Sequence, residues 1–397
     1  MQGSSGRPPT AARLASIAPT VFSSYSALAV ATGSVNLGQG FPDVDGPAEV
    51  VEAARAALAA GHNQYAPGPG TPGLRAAIAE HQRERYGITL DPATEVVVTT
   101  GATEAVAAAV LGLVEPGDEV LVLEPWYDSY VAMLQVAGAV RVPVTLRAPD
   151  FRLDVAALRA AVTDRTRAIL LNTPHNPTGT VLTDAELEAV AALAVEHDLL
   201  VITDEVYEHL TLDGRVHRPP ATFPGMAERT LSISSLGKSF SLTGWKIGWA
   251  TGPAHLVGAL LAAKQWLTFT SGAPLQPAAE VALREHAHWP GELARDLQGR
   301  RDLLVSGLVQ AGVVAPGAAP PRPEGTYFAV TDVAHLGWAD GEAFCRALPE
   351  RAGVVAIPLQ GFGDSDAGTH LVRWTFCKRP EVLTQAVERL LAADLHA

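Results

Sequence analysis

Between residues 95 and 252 the chain alternates short runs of β-branched and aliphatic residues with longer stretches rich in alanine and leucine. Several of the runs 95–100, 119–123, 140–144, 168–172, 199–203, 230–234 and 247–251 are apolar throughout. That is the pattern of strands buried on both faces of a parallel sheet. The intervening segments, such as 102–114 and 184–197, have helical length and apolar spacing. The alternation predicts an α/β fold, with a mostly parallel seven-stranded sheet and helices on both faces. After about residue 285 the pattern changes to a long helix at 290–311, a short strand at 325–330, a helix at 341–351 and a strand at 370–376. This predicts a smaller α+β domain, with the Pro/Ala-rich piece 315–323 as a loop inside it. The expected division is an N-terminal arm and small-domain segment (1–40), a large domain (41–285) and a small C-terminal domain (286–397).

With 397 residues, 48% of them hydrophobic and 18% charged, the chain has the composition of a soluble globular protein with a sizeable core. A net charge of −13 argues against a nucleic-acid surface. Two cysteines, Cys345 and Cys377, do not make a disulfide framework, so a cytoplasmic setting is expected. The first ten residues lack an apolar signal core and read as a flexible leader, and no uninterrupted apolar stretch suggests a membrane span.

In open α/β sheets ligands sit beyond the carboxyl ends of the strands, so the residues there carry the candidate chemistry. After 95–100 comes Gly101-Ala102-Thr103, opening a helix whose free N–H groups and dipole favour an anion; alone it reads equally as a capped helix start. After 119–123 comes Glu124-Pro125-Trp126-Tyr127, with aromatic rings able to stack on a flat heterocycle or to fill a core. After 168–172, Thr173-Pro174-His175-Asn176-Pro177 is a rigid turn in which Asn176 can present an amide to a phenolic oxygen. After 199–203 comes Asp204-Glu205-Val206-Tyr207; an acid there is costly unless paired, and a protonated pyridine nitrogen would pair it. After 230–234 come Ser235 and Lys238, with Lys246 across a Ser/Thr/Gly-rich turn. One amine can form a Schiff base while the other neutralises a phosphate. Together these groups complement the phosphate, ring face, 3'-oxygen, pyridine nitrogen and aldehyde of pyridoxal 5'-phosphate.

Two decoys are set aside. Residues 232–239 read S-x-x-x-x-G-K-S, close to a P-loop, but Ser232 replaces the first glycine and residues 240–244 open a helix poorly. Residues 68–73 satisfy G-x-G-x-x-G, yet no apolar strand precedes them and two prolines stiffen the loop.

With Asn36-Leu37-Gly38-Gln39-Gly40-Phe41-Pro42-Asp43, residues 172–177, residues 204–208 and Gly244-Trp245-Lys246 in view, the chain resembles the fold-type I, class I/II pyridoxal-phosphate aminotransferases from about residue 15 onward. The wording is similar to the branch of kynurenine, glutamine and methionine aminotransferases, cysteine-conjugate β-lyases and actinobacterial N-succinyldiaminopimelate aminotransferases. Residues 64–70 and 371–378 lean toward the last group, and with it toward lysine biosynthesis.

The resemblance implies that Lys238 carries the cofactor as a Schiff base, Asp204 pairs with the pyridine nitrogen, and Asn176 and Tyr207 contact the 3'-oxygen. It implies that Tyr127 stacks on the ring and that Ala102, Thr103, Ser235 and Lys246, beside Gly101, hold the phosphate. Tyr65 would reach that phosphate from a neighbouring subunit, which makes a homodimer the expected active unit. Arg373 resembles the arginine that grips the substrate α-carboxylate, helped by Gly40 and Asn176. Phe22 stands where kynurenine-type enzymes place a tryptophan, and Phe269 and Phe362 are further candidates for the side-chain pocket. The partners implied are amino acids and 2-oxo acids, with no nucleic acid, metal or membrane. The competing readings are β-elimination from cysteine conjugates and, more distantly, a pyridoxal-phosphate-binding regulator.

Overall fold

The computed structural model describes residues 10–15, 17 and 20–397; most of the expected leader lies outside the described residues. The strands in chain order are β1 (Val35–Asn36), β2 (Val96–Thr100), β3 (Glu119–Glu124), β4 (Val140–Thr145), β5 (Thr166–Asn172), β6 (Leu200–Asp204), β7 (Thr230–Ser235), β8 (Ile247–Thr251), β9 (Phe328–Asp332), β10 (Val354–Val355), β11 (Ile357–Pro358) and β12 (Leu371–Thr375). The expected seven-stranded sheet forms with order β2-β8-β7-β6-β5-β3-β4, and within it β8 alone runs against its neighbours.

Both faces of this sheet are covered, and the strand sequences show why. In β5, Ala168 and Leu170 enter one apolar cluster and Ile169 and Leu171 the other. Ile202 and Val201 of β6 divide in the same way. A period of two with apolar residues at both parities leaves no face for water. On one face lie the helices Gly101–Leu113 and Ala254–Leu267, which contribute Ala105, Ala109, Leu256 and Leu260. On the other lies Asp184–Glu196, started by a capping box in which Thr183 and Glu186 satisfy each other's backbone N–H groups.

The rest of the chain builds a three-stranded antiparallel sheet, order β11-β12-β9, and a short parallel pair, β1 with β10. The helices Trp289–Gln310 and Pro380–Leu391 pack together beside them. The strand expected at 325–330 begins later, at Phe328. Gly325 and Thr326 are diverted: Thr326 adopts a left-handed φ of 63° and donates its N–H to the Leu210 carbonyl at 2.8 Å. Both cysteines are buried thiols. Among the described residues no helix is long and apolar enough to cross a membrane.

The helices 101–113 and 254–267 approach so closely that a Cβ at Gly112 would overlap the Ala259 carbonyl. A backbone oxygen cannot rotate away, so Gly112→Ala should destabilise the fold by about 1–3 kcal/mol. The check is a lowered urea midpoint of the apoprotein; an unchanged midpoint would show that the helix pair has slack.

Candidate active site

The carboxyl ends of β2, β3, β5, β6 and β7 open onto one cavity of about 300 Å³, closed from the opposite side by Phe22, Gln39–Phe41, Phe328 and Arg373. At one end the helix starting at Gly101 points its first N–H groups into the space; these have no intrahelical partner and carry the positive end of the helix dipole. Gly101 has φ 72°, and a Cβ there would lie 2.9 Å from the Lys246 Nζ. A Cβ at Gly248 would lie 2.7 Å from the Ala102 nitrogen. The two glycines therefore let the helix start, β8 and the Lys246 amine converge. Lys246 makes no ion pair among the described residues, and Ala102, Thr103 and Ser235 line the same end, forming a cradle for a phosphate-like anion.

Asp204 lies deeper and is buried. Its Oδ2 accepts from the Tyr130 hydroxyl at 2.6 Å and its Oδ1 from the Val206 N–H at 3.2 Å. Burial pushes its carboxyl above the usual range, against the pull of these two donors and of the Lys238 ammonium. Such a carboxylate has a place for one more positive partner. Asn172 ties the neighbouring turns together, donating to the Asp204 carbonyl at 2.8 Å and accepting the Asn176 N–H at 2.7 Å. Burial keeps the Tyr207 phenol protonated, as a hydroxyl donor. The Tyr127 ring forms a wall, edge-on to Tyr130 at 5.7 Å.

The Lys238 Nζ donates to the Gly40 carbonyl at 3.4 Å, and the Tyr327 hydroxyl donates to the same oxygen at 2.6 Å. Burial lowers the Lys238 pKa to about 8, with Lys246 and Arg373 pushing the same way and Cys377 and Asp204 opposing. Behind it a polar network braces the segment: the His209 ring bonds Ser239 Oγ at 2.8 Å and His81 at 2.8 Å, and Glu208 accepts from the hydroxyls of Tyr86 and Ser234.

Arg373 is only 1% exposed, with Nη1 donating to Asn176 Oδ1 at 2.9 Å and Nη2 to the Gly38 carbonyl at 2.8 Å. Its guanidinium stacks 4.0 Å from the Phe328 centroid and 4.9 Å from that of Phe22. Nε is buried without a partner among the described residues. Burial lowers its pKa to about 10, which leaves it charged at neutral pH.

Gly40, Gly101, Ala102, Thr103, Tyr127, Asn176, Asp204, Tyr207, Ser235, Lys238, Lys246, Arg373 and Phe22 thus line a single cavity, to which Gly40, Phe22 and Arg373 come from outside the strand ends of the large sheet. Tyr65 does not: it is 82% exposed and packs against Phe269, itself 53% exposed. Phe269 is therefore no wall of this cavity, and Phe362 is fully buried behind Phe22, with centroids 5.7 Å apart. Sequence reading gave Tyr130 no role of its own and missed Tyr327 and Phe328. Tyr130 had a signal, since it lies one helical turn after the Pro125-Trp126-Tyr127 corner; the other two follow a turn that no local pattern marks.

An anion cradle, a buried acid and an enclosed amine at the strand ends of a doubly covered sheet, faced by a buried arginine from the other sheet, belong to a recurrent class of transferase. Residues 32–390 match the aminotransferase class I and II family, and the chain is a member of it. It is 53% identical over 393 residues to the probable N-succinyldiaminopimelate aminotransferase DapC of Mycobacterium tuberculosis, covering 96% of this chain and 98% of that one. It is 37% identical to the methionine aminotransferase of Escherichia coli, with 95% and 97% covered. The solved N-succinyldiaminopimelate aminotransferase of Mycobacterium tuberculosis superposes with a TM-score of 0.93 at 54% identity, covering 96% of this chain and 99% of that one. The protein is therefore an aminotransferase.

The depressed pKa of Lys238 makes a signed prediction. Its neutral, nucleophilic fraction should rise through about pH 8 in the apoprotein, whereas ordinary lysines titrate near ~10.4. The unfolded chain keeps this proton to higher pH, so the same group should add stability as pH rises from about 8 to 10.5. Labelling with an amine-directed reagent, followed by mass spectrometry across pH, reads the first effect; a midpoint near that of surface lysines would contradict it.

Proposed function

We propose that the cavity binds pyridoxal 5'-phosphate and that the protein moves an amino group between N-succinyl-LL-diaminopimelate and 2-oxoglutarate, with glutamate as the other amino acid of the pair. The observation that carries the cofactor reading is the convergence of Lys238, Asp204 and the Gly101–Lys246 cradle on one cavity. The substrate reading is supported by the 53% identity to the mycobacterial relative over nearly the full length of both chains. Pyridoxal 5'-phosphate, when bound, supplies an electron sink that makes the α-proton of an attached amino acid acidic.

The residues of the chain then have distinct tasks. Ala102, Thr103, Ser235 and Lys246 hold the phosphate, and Tyr127 covers the ring. Asp204, held in place by Tyr130, would pair with the ring nitrogen and favour its protonated form. Asn176 and Tyr207 meet the 3'-oxygen. Lys238 Nζ would hold the cofactor as a Schiff base, and burial, which lowers its pKa in the protein alone, suits the free amine to accept a proton from the substrate α-carbon and to give it back. Arg373 seats the α-carboxylate, using donor capacity beyond that taken by Asn176 and Gly38. The aromatic rings around it exclude water and so strengthen that ion pair.

The same reading divides the chain into an arm (1–40), a large domain (41–285) and a small domain (286–397), and sets it in the cytoplasm as a homodimer. The aromatic pair Tyr65 and Phe269, with Trp266 84% exposed nearby in sequence, is the surface we assign to the second subunit, whose cavity Tyr65 would complete.

Single-turnover conversion of the loaded protein, followed by cofactor absorbance, should be fastest per unit concentration with N-succinyl-LL-diaminopimelate and glutamate among a panel including kynurenine, methionine and glutamine. Unchanged cofactor absorbance with every donor would sink the transamination reading, and a preference for methionine or kynurenine would move the substrate to those relatives' class. Arg373→Lys, which replaces a fork by a point charge, should raise KM for the amino donor by about tenfold or more; an unchanged KM would take the carboxylate seat away from Arg373.

A further inference from the structure

Glu124, at the end of β3, is a buried carboxylate with no ion-pair partner among the described residues. It is 2% exposed, and its oxygens accept from four donors. Oε1 takes the backbone N–H groups of Asp364 and of Ser365, the latter at 2.7 Å. Oε2 takes the Ser365 hydroxyl at 2.7 Å and the Thr145 hydroxyl at 2.6 Å. Burial by itself would raise this carboxyl; the bonds from Thr145, Ser365 and Asp364 outweigh it and hold the group ionised below the usual carboxylate range. Three of the four donors come from one loop more than two hundred residues further along the chain.

Two more contacts fix that loop to the same corner. The Trp126 N–H donates to the Phe362 carbonyl at 2.8 Å. Arg141, stacked 4.8 Å from the Trp126 centroid, grips Asp364 with Nε to Oδ2 at 3.0 Å and Nη2 to Oδ1 at 2.8 Å. Gly363 is extended, at φ −161°, a conformation open to any residue, yet a Cβ there would lie 2.5 Å from Glu124 Oε1. The loop is seated as closely as a backbone can be. What it delivers is Phe362, fully buried, edge-on to Phe22 at 5.7 Å and 5.6 Å from the Arg373 guanidinium.

We propose that Glu124 is a positioning residue for the substrate: by clamping residues 362–365 it fixes Phe362 behind Phe22 and Arg373 and so sets the wall that the amino acid meets. It touches no substrate itself. The idea rests on Arg373 and Phe22 facing the substrate, as read above.

The test compares Glu124→Ala, Glu124→Gln and Gly363→Ala in the pyridoxal-phosphate-loaded protein. KM and kcat for glutamate are read alongside cofactor affinity by absorbance titration and the melting temperature. Gln keeps a carbonyl oxygen for the two N–H groups and offers its amide to two hydroxyls that can rotate to accept. Ala loses all four bonds, and Gly363→Ala forces the loop and the Glu124 carboxylate apart while keeping the carboxylate.

Glu124→Ala and Gly363→Ala should each raise KM by about tenfold with kcat and cofactor affinity changed less than about threefold, and Glu124→Gln should restore most of the KM. A lowered melting temperature with KM unchanged in either folded variant makes the clamp structural only and overturns the proposal. A fall in cofactor affinity parallel to the rise in KM also overturns it, because the effect would then run through Trp126 and Tyr127 onto the cofactor face. If Glu124→Ala does not fold, Gly363→Ala decides. An effect of Arg373→Lys with none of Gly363→Ala leaves the function standing and removes only the clamp.

Discussion

The structure is organised around charges taken out of water with incomplete internal partners. Asp204 and Arg373 are 6% and 1% exposed, and neither is closed off by an opposite charge in a salt bridge among the described residues. Removing an ion from water costs several kcal/mol even after relaxation, so each must be held by oriented dipoles or await a charged ligand. Asn176 and the Gly38 carbonyl hold Arg373 in orientation without neutralising it, and Tyr130 and Val206 do the same for Asp204. Lys238, crowded by two further cations, answers the same constraint by giving up its proton more readily. What remains after this internal accounting is an unmet negative charge, two unmet positive ones and a nucleophilic amine, and those remainders describe the ligand.

The chain segment 36–40 links these sites. Leu37 accepts the Thr375 N–H at 2.8 Å, Gly38 accepts from Arg373, and Gly40 accepts from both Lys238 and Tyr327. A Cβ at Gly40 would lie 2.5 Å from the Phe328 ring, so this backbone sits against the aromatic wall with no room to spare. The N-terminal part of the chain, continuous with the β1–β10 pair, thereby touches both Lys238 and Arg373. That connection gives the two halves of the cavity one common reference.

Much of this was legible in the sequence because parallel sheets place function at strand ends. A run such as residues 168–172 announces a buried strand, and the turn after it is then obliged to face the ligand, so Asn176 could be read directly. The anion cradle at Gly101 was legible for a similar reason, since a glycine between a strand and a helix marks a backbone that approaches something closely. Arg373 was not legible in that way: its strand is antiparallel and belongs to the other sheet, and only the family resemblance separated it from any other basic residue. Tyr327 and Phe328 were hidden by the left-handed Thr326, which delays the strand and turns two aromatic rings inward. Glu124 read as the edge of an aromatic motif because three of its four donors lie about 240 positions away, beyond any local pattern.

The central claim is that Lys238 is the amine that carries the cofactor. Reducing the pyridoxal-phosphate-loaded protein with borohydride and mapping its peptides by mass spectrometry tests this without reference to substrate. One phosphopyridoxyl group per chain, on the peptide containing Lys238, is the predicted result. Modification at Lys246 or another lysine in its place, or no stable modification at all, would contradict it.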